Sequence, residues 1–284
     1  MKNSPYLPDH TAKNPIVREI ECVSLLNRSR IPSVDYALNP YTGCEHGCIY
    51  CYSDFMRRFR RHGEEWGQFV DVKVNAPGVL RRQLSRSQPG LVSLSTVTDP
   101  YQPLERRYEL TRACLQELIK SQFPVSILTK SALVLRDLDL LVKLDEVDVG
   151  LTITTLDEGL REDFEPRADS IQERLRALRK LSAVGVQTWV FFGPVLPFFS
   201  DRREIIDDML ATFRDCGAQH VLVDRLNFYP RVWHRMRTML IEHFPEQLEY
   251  YEAVRRDIES YSLSLKRTVQ WESTRQSMTC EIIF

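Results

Sequence analysis

Three cysteines fall within eight residues, in the stretch Asn39-Pro-Tyr-Thr-Gly-Cys44-Glu-His-Gly-Cys48-Ile-Tyr-Cys51-Tyr52. The spacing is C-x3-C-x2-C. Thiolates are soft ligands that select zinc or iron–sulfur clusters. Gly43 and Gly47 let the backbone take positive φ, so a short loop can curl three thiols around one centre. The count of three is informative, because a [4Fe–4S] cubane held by three cysteines leaves one iron free for a small molecule. The chemistry that uses an open iron with this spacing is reductive cleavage of S-adenosylmethionine (SAM). The amino and carboxylate groups of SAM chelate that iron, and one electron then yields a 5′-deoxyadenosyl radical. Such a radical abstracts hydrogen from unactivated carbon and needs an interior closed to water and thiols. The competing reading is a structural zinc site completed by His46 or a distant thiol. Zinc knuckles, however, pair C-x2-C with a second pair of ligands, and none stands nearby.

Seven cysteines in a chain expected to be cytoplasmic argue against a disulfide framework. Cys22, Cys114 and Cys216 lack any cluster spacing and read as buried or incidental thiols. Cys280, close to the end, is kept as a candidate redox group or hydrogen donor. The chain has 284 residues, a net charge of -1, 43% hydrophobic and 27% charged residues, which excludes a disordered chain and a globally basic nucleic-acid binder. No G-x-G-x-x-G and no Walker loop occurs. The amino terminus lacks a secretory apolar core, and the uncharged stretch 181–200 is broken by Pro194 and Pro197. No membrane segment and a cytoplasmic location are therefore expected.

The elements that must position the cysteines alternate. Apolar runs at 91–98, 124–129, 147–155, 186–195 and 220–226 read as buried strands. Amphipathic helices are expected over 109–121 (Leu110, Cys114 and Leu118 on one face), 137–144, a segment opened by a Ser170…Glu173 capping box, and 201–216 followed by Gly217. About six strand–helix units of roughly 33 residues span 35–229, too few to close an eight-unit barrel. The expected fold is α/β: an incomplete (β/α)6 barrel, with residues 1–34 as an N-terminal arm and 230–284 as a C-terminal helical extension beside the opening. In the fourth strand Val147, Val149, Leu151 and Ile153 face the helices. Asp148, Gly150, Thr152 and Thr154 face a lumen expected to be wet.

With these features in place, the chain resembles the radical SAM proteins, and more narrowly their spore photoproduct lyase-like branch, often described as DNA repair photolyases. The resemblance covers roughly 24–229. It rests on Asn39-Pro-Tyr with the cysteine tripod and Tyr52, on Thr98-Asp99-Pro-Tyr-Gln-Pro103, and on Thr129-Lys130-Ser131. Glu165-Pro166 and Gly193-Pro194-Val195 add to it. It implies a [4Fe–4S] cluster on Cys44, Cys48 and Cys51, SAM as cofactor, and an electron donor such as flavodoxin or ferredoxin. Thr98 and Asp99 would hold the SAM amino group, and Lys130 its carboxylate. Thr152 and Thr154 would supply hydroxyl donors, and Tyr50 would contact adenine. Tyr52 is either a radical relay or an aromatic packed on the cluster. One departure matters: where the lyase has a hydrogen-donating cysteine, this chain has Thr96, whose O–H bond is too strong for that task. Repair of the spore photoproduct itself is therefore not expected.

Two substrate classes remain open. Phe55 to Arg86 carries seven Arg and one Lys against three acids, and Arg57, Arg58, Arg60 and Arg61 follow the cysteine loop directly. With Phe59, Trp66 and Phe69 interleaved, such a patch suits DNA or a nucleotide. The alternatives are a peptide, protein or small-metabolite substrate, or a non-enzymatic zinc module.

Overall fold

The computed structural model describes residues 14–59, apart from the Phe59 side chain, and 63–284. Residues 1–13 of the expected arm, and Arg60, Arg61 and the Phe59 ring of the basic patch, lie outside the described residues.

Among the described residues eleven strands form two sheets. The small sheet joins β1 (Ile16–Ile20), β5 (Phe69–Lys73) and β4 (Tyr41–Thr42). The large sheet runs β11 (Thr279–Ile282), β10 (His220–Arg225), β9 (Gln187–Val195), β8 (Val147–Thr152), β7 (Val125–Thr129), β6 (Val92–Leu94), β3 (Tyr36–Leu38) and β2 (Leu26–Arg28). From β3 through β6 to β10 every neighbour is parallel, and helices fill the crossovers as such connections require. These six strands are the partial barrel expected from the repeat length. β11 extends it by one parallel strand beside β10, and β2 adds an antiparallel edge.

Local chemistry explains the crossover helices. Ser170 and Glu173 form both bonds of the capping box that opens the helix Ile171–Ala183. Leu110, Cys114 and Leu118 are buried on one face of Leu110–Ser121. The strand expected over 91–98 ends early, at Leu94. Ser95 takes φ +67° there and turns the chain, so residues 95–98 form a loop at the sheet's carboxyl edge. The expected helix 137–144 shrinks to Leu138–Leu141 after a 3-10 turn, Ala132–Asp137, with Asp137 buried against Arg112 and Arg136.

The fourth barrel strand corrects one expectation. Val149, Leu151 and Ile153 do face the core, but the lumen below Thr152 is filled by a side chain. Trp189 fills it: a Cβ on Gly150 would meet the indole at 2.4 Å, and the indole N–H donates to Asp148 at 2.6 Å. At the carboxyl edge the strand ends border a cleft lined by the three cysteines.

After Pro230 the chain is helical through Gln276, and the helix Pro230–His243 packs Val232, Trp233 and Met236 onto Cys48, Ile49 and Tyr50. No helix of the described residues is long and apolar enough to cross a membrane.

Candidate active site

A cleft of about 880 Å³ opens at the carboxyl edge, and Cys44, Cys48 and Cys51 all line it. Gly43 and Gly47 take φ of +89° and +62° and bend the loop. A Cβ on Gly43 would lie 2.3 Å from the Phe69 carbonyl oxygen, so the loop is pressed against β5. Arg235 holds its other side, donating to the carbonyl oxygens of Ile49 and Cys51 at 2.9 Å each. Arg167 donates to the Gly67 carbonyl at 2.8 Å. The sequence did not signal either arginine, since each acts across a hundred residues of chain or more.

All seven cysteines are free thiols. Burial pushes the Cys44 thiol well above its usual range, Cys48 up to about 12 and Cys51 upward as well. A bound metal centre would reverse this, because ligation deprotonates a thiol. Among the described residues no three His, Cys, Asp or Glu side chains converge as closely as a single metal ion requires. A cubane spreads its three thiolates over three iron atoms, so the donor set fits that group. His46 is buried with Nδ1 3.4 Å from Asp99 Oδ2.

Asp99 sits at the centre of the second wall. Its carboxylate accepts from the Tyr101 amide at 2.8 Å, Thr129 Oγ1 at 2.6 Å and the Lys130 amide at 2.8 Å. Burial works against its charge, yet His46 and these hydrogen bonds hold it down to about 2. Asp99 therefore fastens the ends of β6 and β7 together and gives the cleft a negative charge. Thr98 donates to the Gly43 carbonyl and accepts from Gln102 at 3.1 Å, which ties the 95–98 loop to the cysteine loop.

Lys130 follows β7 into the cleft with its ammonium 5.6 Å from the centre of the Tyr50 ring. Beyond this ring contact the ammonium makes no hydrogen bond or ion pair with a described residue. Burial opposes its charge, but Cys48, Glu165 and Cys51 raise it, so Lys130 stays protonated. Tyr50 is buried and donates to Glu165, which pairs with Arg174. Arg174 in turn donates to the Thr152 carbonyl at 3.0 Å. Thr152 lines the cleft. Thr154 does not reach it; its hydroxyl donates to Glu165 at 3.2 Å. Tyr52 stands at the rim, half exposed, and donates to the Thr96 carbonyl. Thr96 lines the cleft, whereas Cys280 sits on β11 opposite Val221, away from it.

The far wall was not anticipated. Asp224, Arg225 and Asn227 line the cleft at the end of β10, where the pairing with β9 is irregular. Burial raises the Asp224 carboxyl to about 6. Because the folded value exceeds the ordinary one, stability is full below the ordinary value near about 4 and falls as pH rises through about 6. Asp224→Asn is expected to gain about 1–3 kcal/mol over the native chain at about pH 8 and nearly nothing at about pH 4, measured by urea unfolding. Equal gains at both pH values would show that burial of the charge is not the cause.

The basic patch is partly consumed by the fold. Arg57 is bidentate with Glu65, at 2.8 and 3.0 Å, and Arg81 with Glu117, at 2.9 and 2.8 Å. Arg58 is exposed and packs over the Phe55 ring.

Residues 38–210 match the Radical SAM superfamily. The chain belongs to that superfamily. A protein of Methanocaldococcus jannaschii, described as uncharacterized, is 37% identical over 67% of this radical SAM chain and 71% of its own length. The Radical SAM Nalpha-GlyT isomerase of Pseudomonas phage M6 is 26% identical over 65% of this chain, which spans only 38% of that protein. Among solved structures, a spore photoproduct lyase complexed with dinucleoside spore photoproduct superposes with a TM-score of 0.68 at 14% identity, over 94% of this chain and 81% of its own. That likeness is one of fold. As a radical SAM enzyme the chain is expected to carry the [4Fe–4S] cluster and SAM that the superfamily implies.

Proposed function

We propose that this radical SAM enzyme abstracts hydrogen from a nucleotide or nucleic-acid substrate, drawing its electron from a flavodoxin or ferredoxin. The observation that carries the reading is the meeting, in one cleft, of two buried thiols, a third that is partly buried, and a lysine ammonium without an ion pair among the described residues, next to a rim of arginine and aromatic side chains. With the cluster bound by Cys44, Cys48 and Cys51, SAM would be cleaved to a 5′-deoxyadenosyl radical. The chain's own residues bind and shield. Lys130 offers its ammonium to the SAM carboxylate. Tyr50, fixed by Glu165, presents a ring face to adenine. Thr152 borders the same space, and Trp189 seals the lumen beneath it from water. The dinucleoside named with the lyase that superposes favours a nucleoside-type substrate.

Thr96, at the position expected for a hydrogen-donating thiol, makes spore photoproduct repair the disfavoured outcome, and Tyr52 beside it is the candidate relay. Lys130→Met is expected to weaken SAM binding by about 10- to 100-fold, the loss of one charge-assisted contact, in a titration of the reconstituted protein. The substrate class is tested by incubating the reduced enzyme with deuterated oligonucleotides, peptides and small metabolites. Deuterium appearing in 5′-deoxyadenosine from the oligonucleotide supports the reading; transfer from a peptide or metabolite alone would replace it.

A further inference from the structure

A second groove, of about 1070 Å³, adjoins the reaction cleft, and Tyr52 lines both. Its walls come from the turn that follows the cysteine loop and from the start of the helix Pro230–His243. The cysteine motif did not point to Tyr229 or Arg231. Tyr229 is 58% exposed although it stands at the entrance to a well-packed helix. On the opposite wall Tyr52 and Phe55 lie nearly parallel, ring centres 6.2 Å apart, with the Arg58 guanidinium over Phe55 at 5.3 Å. Among the described lining residues the one acid, Asp54, is buried and already faces Arg57 at 3.5 Å and Arg235 at 3.2 Å, so Arg231, 3.7 Å away and largely exposed, brings a surplus positive charge to the solvent side.

Exposed aromatic faces alternating with guanidinium groups recognise the bases and phosphates of a single strand. The hydroxyl of Tyr52 is anchored on the Thr96 carbonyl, so this ring is the partition over which a chain leaving the cleft must pass. We propose that the groove holds the nucleotide adjoining the reacting one in an unpaired stretch of nucleic acid, with Tyr229 stacking on its base and Arg231 meeting its phosphate. The inference rests on the nucleic-acid reading above and extends it: the substrate is a strand, not a free nucleotide, and its reacting base is turned out of any duplex.

The test is the anisotropy of a fluorescent oligothymidylate bound to the anaerobically reconstituted protein, over a range of salt. Tyr229→Ala is expected to weaken binding about tenfold, with Tyr229→Phe restoring it, because stacking needs the ring and not the hydroxyl. Arg231→Gln is expected to reduce the slope of log affinity against log salt by about 0.7, the loss of one single-strand phosphate contact. All three variants should form 5′-deoxyadenosine at the native rate without substrate, since none of these side chains lines the cleft. If the native protein binds and the variants match it in affinity and slope, the groove assignment is overturned while the nucleic-acid reading stands. If the native protein does not bind the strand at any salt, that reading fails and the groove with it.

Discussion

Cys48→Ala is expected to give a colourless protein that forms no 5′-deoxyadenosine, and Cys44→Ala and Cys51→Ala the same. Each thiol would hold a different corner of the cluster, so loss of one leaves a second iron without a protein ligand, and the residual pair cannot fix the orientation of the open corner. The effect is separable from misfolding. The loop is held by Arg235 on the Ile49 and Cys51 carbonyls, by Thr98 on the Gly43 carbonyl and by the packing of Ile49 and Tyr50, none of which needs a thiol. Removing a single sulfur from the cluster of side chains around Cys48 should cost the metal-free protein about 1 kcal/mol, near the small end of core truncations. Iron and sulfide content, visible absorption and product analysis measure the loss. A variant that keeps colour and product would refute the assignment of that ligand.

Arg174→Met is expected to destabilise the fold by about 3–5 kcal/mol, because it strands a buried carboxylate. Glu165 and Arg174 are both essentially inaccessible to solvent. Burial presses the Glu165 carboxyl toward the neutral form, but Arg174 and Lys130, together with the Tyr50 hydroxyl, hold its pKa below the ordinary carboxylate value. A lowered acid contributes stability that is complete above its unfolded pKa, near about 4.3, and disappears as pH falls through the lower folded value. The native chain should therefore show an acid limb in its stability curve that Arg174→Met lacks. The variant should also bind SAM more weakly, since Glu165 fixes Tyr50 and Arg174 braces the Thr152 carbonyl at 3.0 Å. Urea unfolding across pH and SAM titration check the two parts. Unchanged stability at neutral pH would contradict the account of this pair.

The parts of the molecule written in local pattern were legible. Cysteine spacing pointed to the loop that lines the cleft, apolar runs located β7 to β10, and the Ser170 box marked a helix start. What escaped depends on partners distant in sequence. Arg235 acts on carbonyls some 185 residues earlier and carries no motif. Trp189 fills the lumen because its neighbour Gly150 has no side chain, a pairing that strand alternation does not express, so an open interior was expected where an indole stands. The Arg-rich stretch after the cysteines does not reveal, by its charge and interleaved aromatics, which arginines the fold consumes. Its carboxylates Glu65 and Asp54 take up Arg57, and β5 runs through its middle. β11 is four residues of alternating exposure at the sheet's edge, a pattern too short to separate from the end of a helix.

The central claim is that Cys44, Cys48 and Cys51 hold a cluster with one iron open to SAM. Electron paramagnetic resonance of the reduced, oxygen-excluded protein, recorded before and after SAM is added, tests it most directly. A [4Fe–4S] signal that changes form when SAM binds is the predicted result. Zinc in place of iron, or a cluster signal indifferent to SAM, would contradict it.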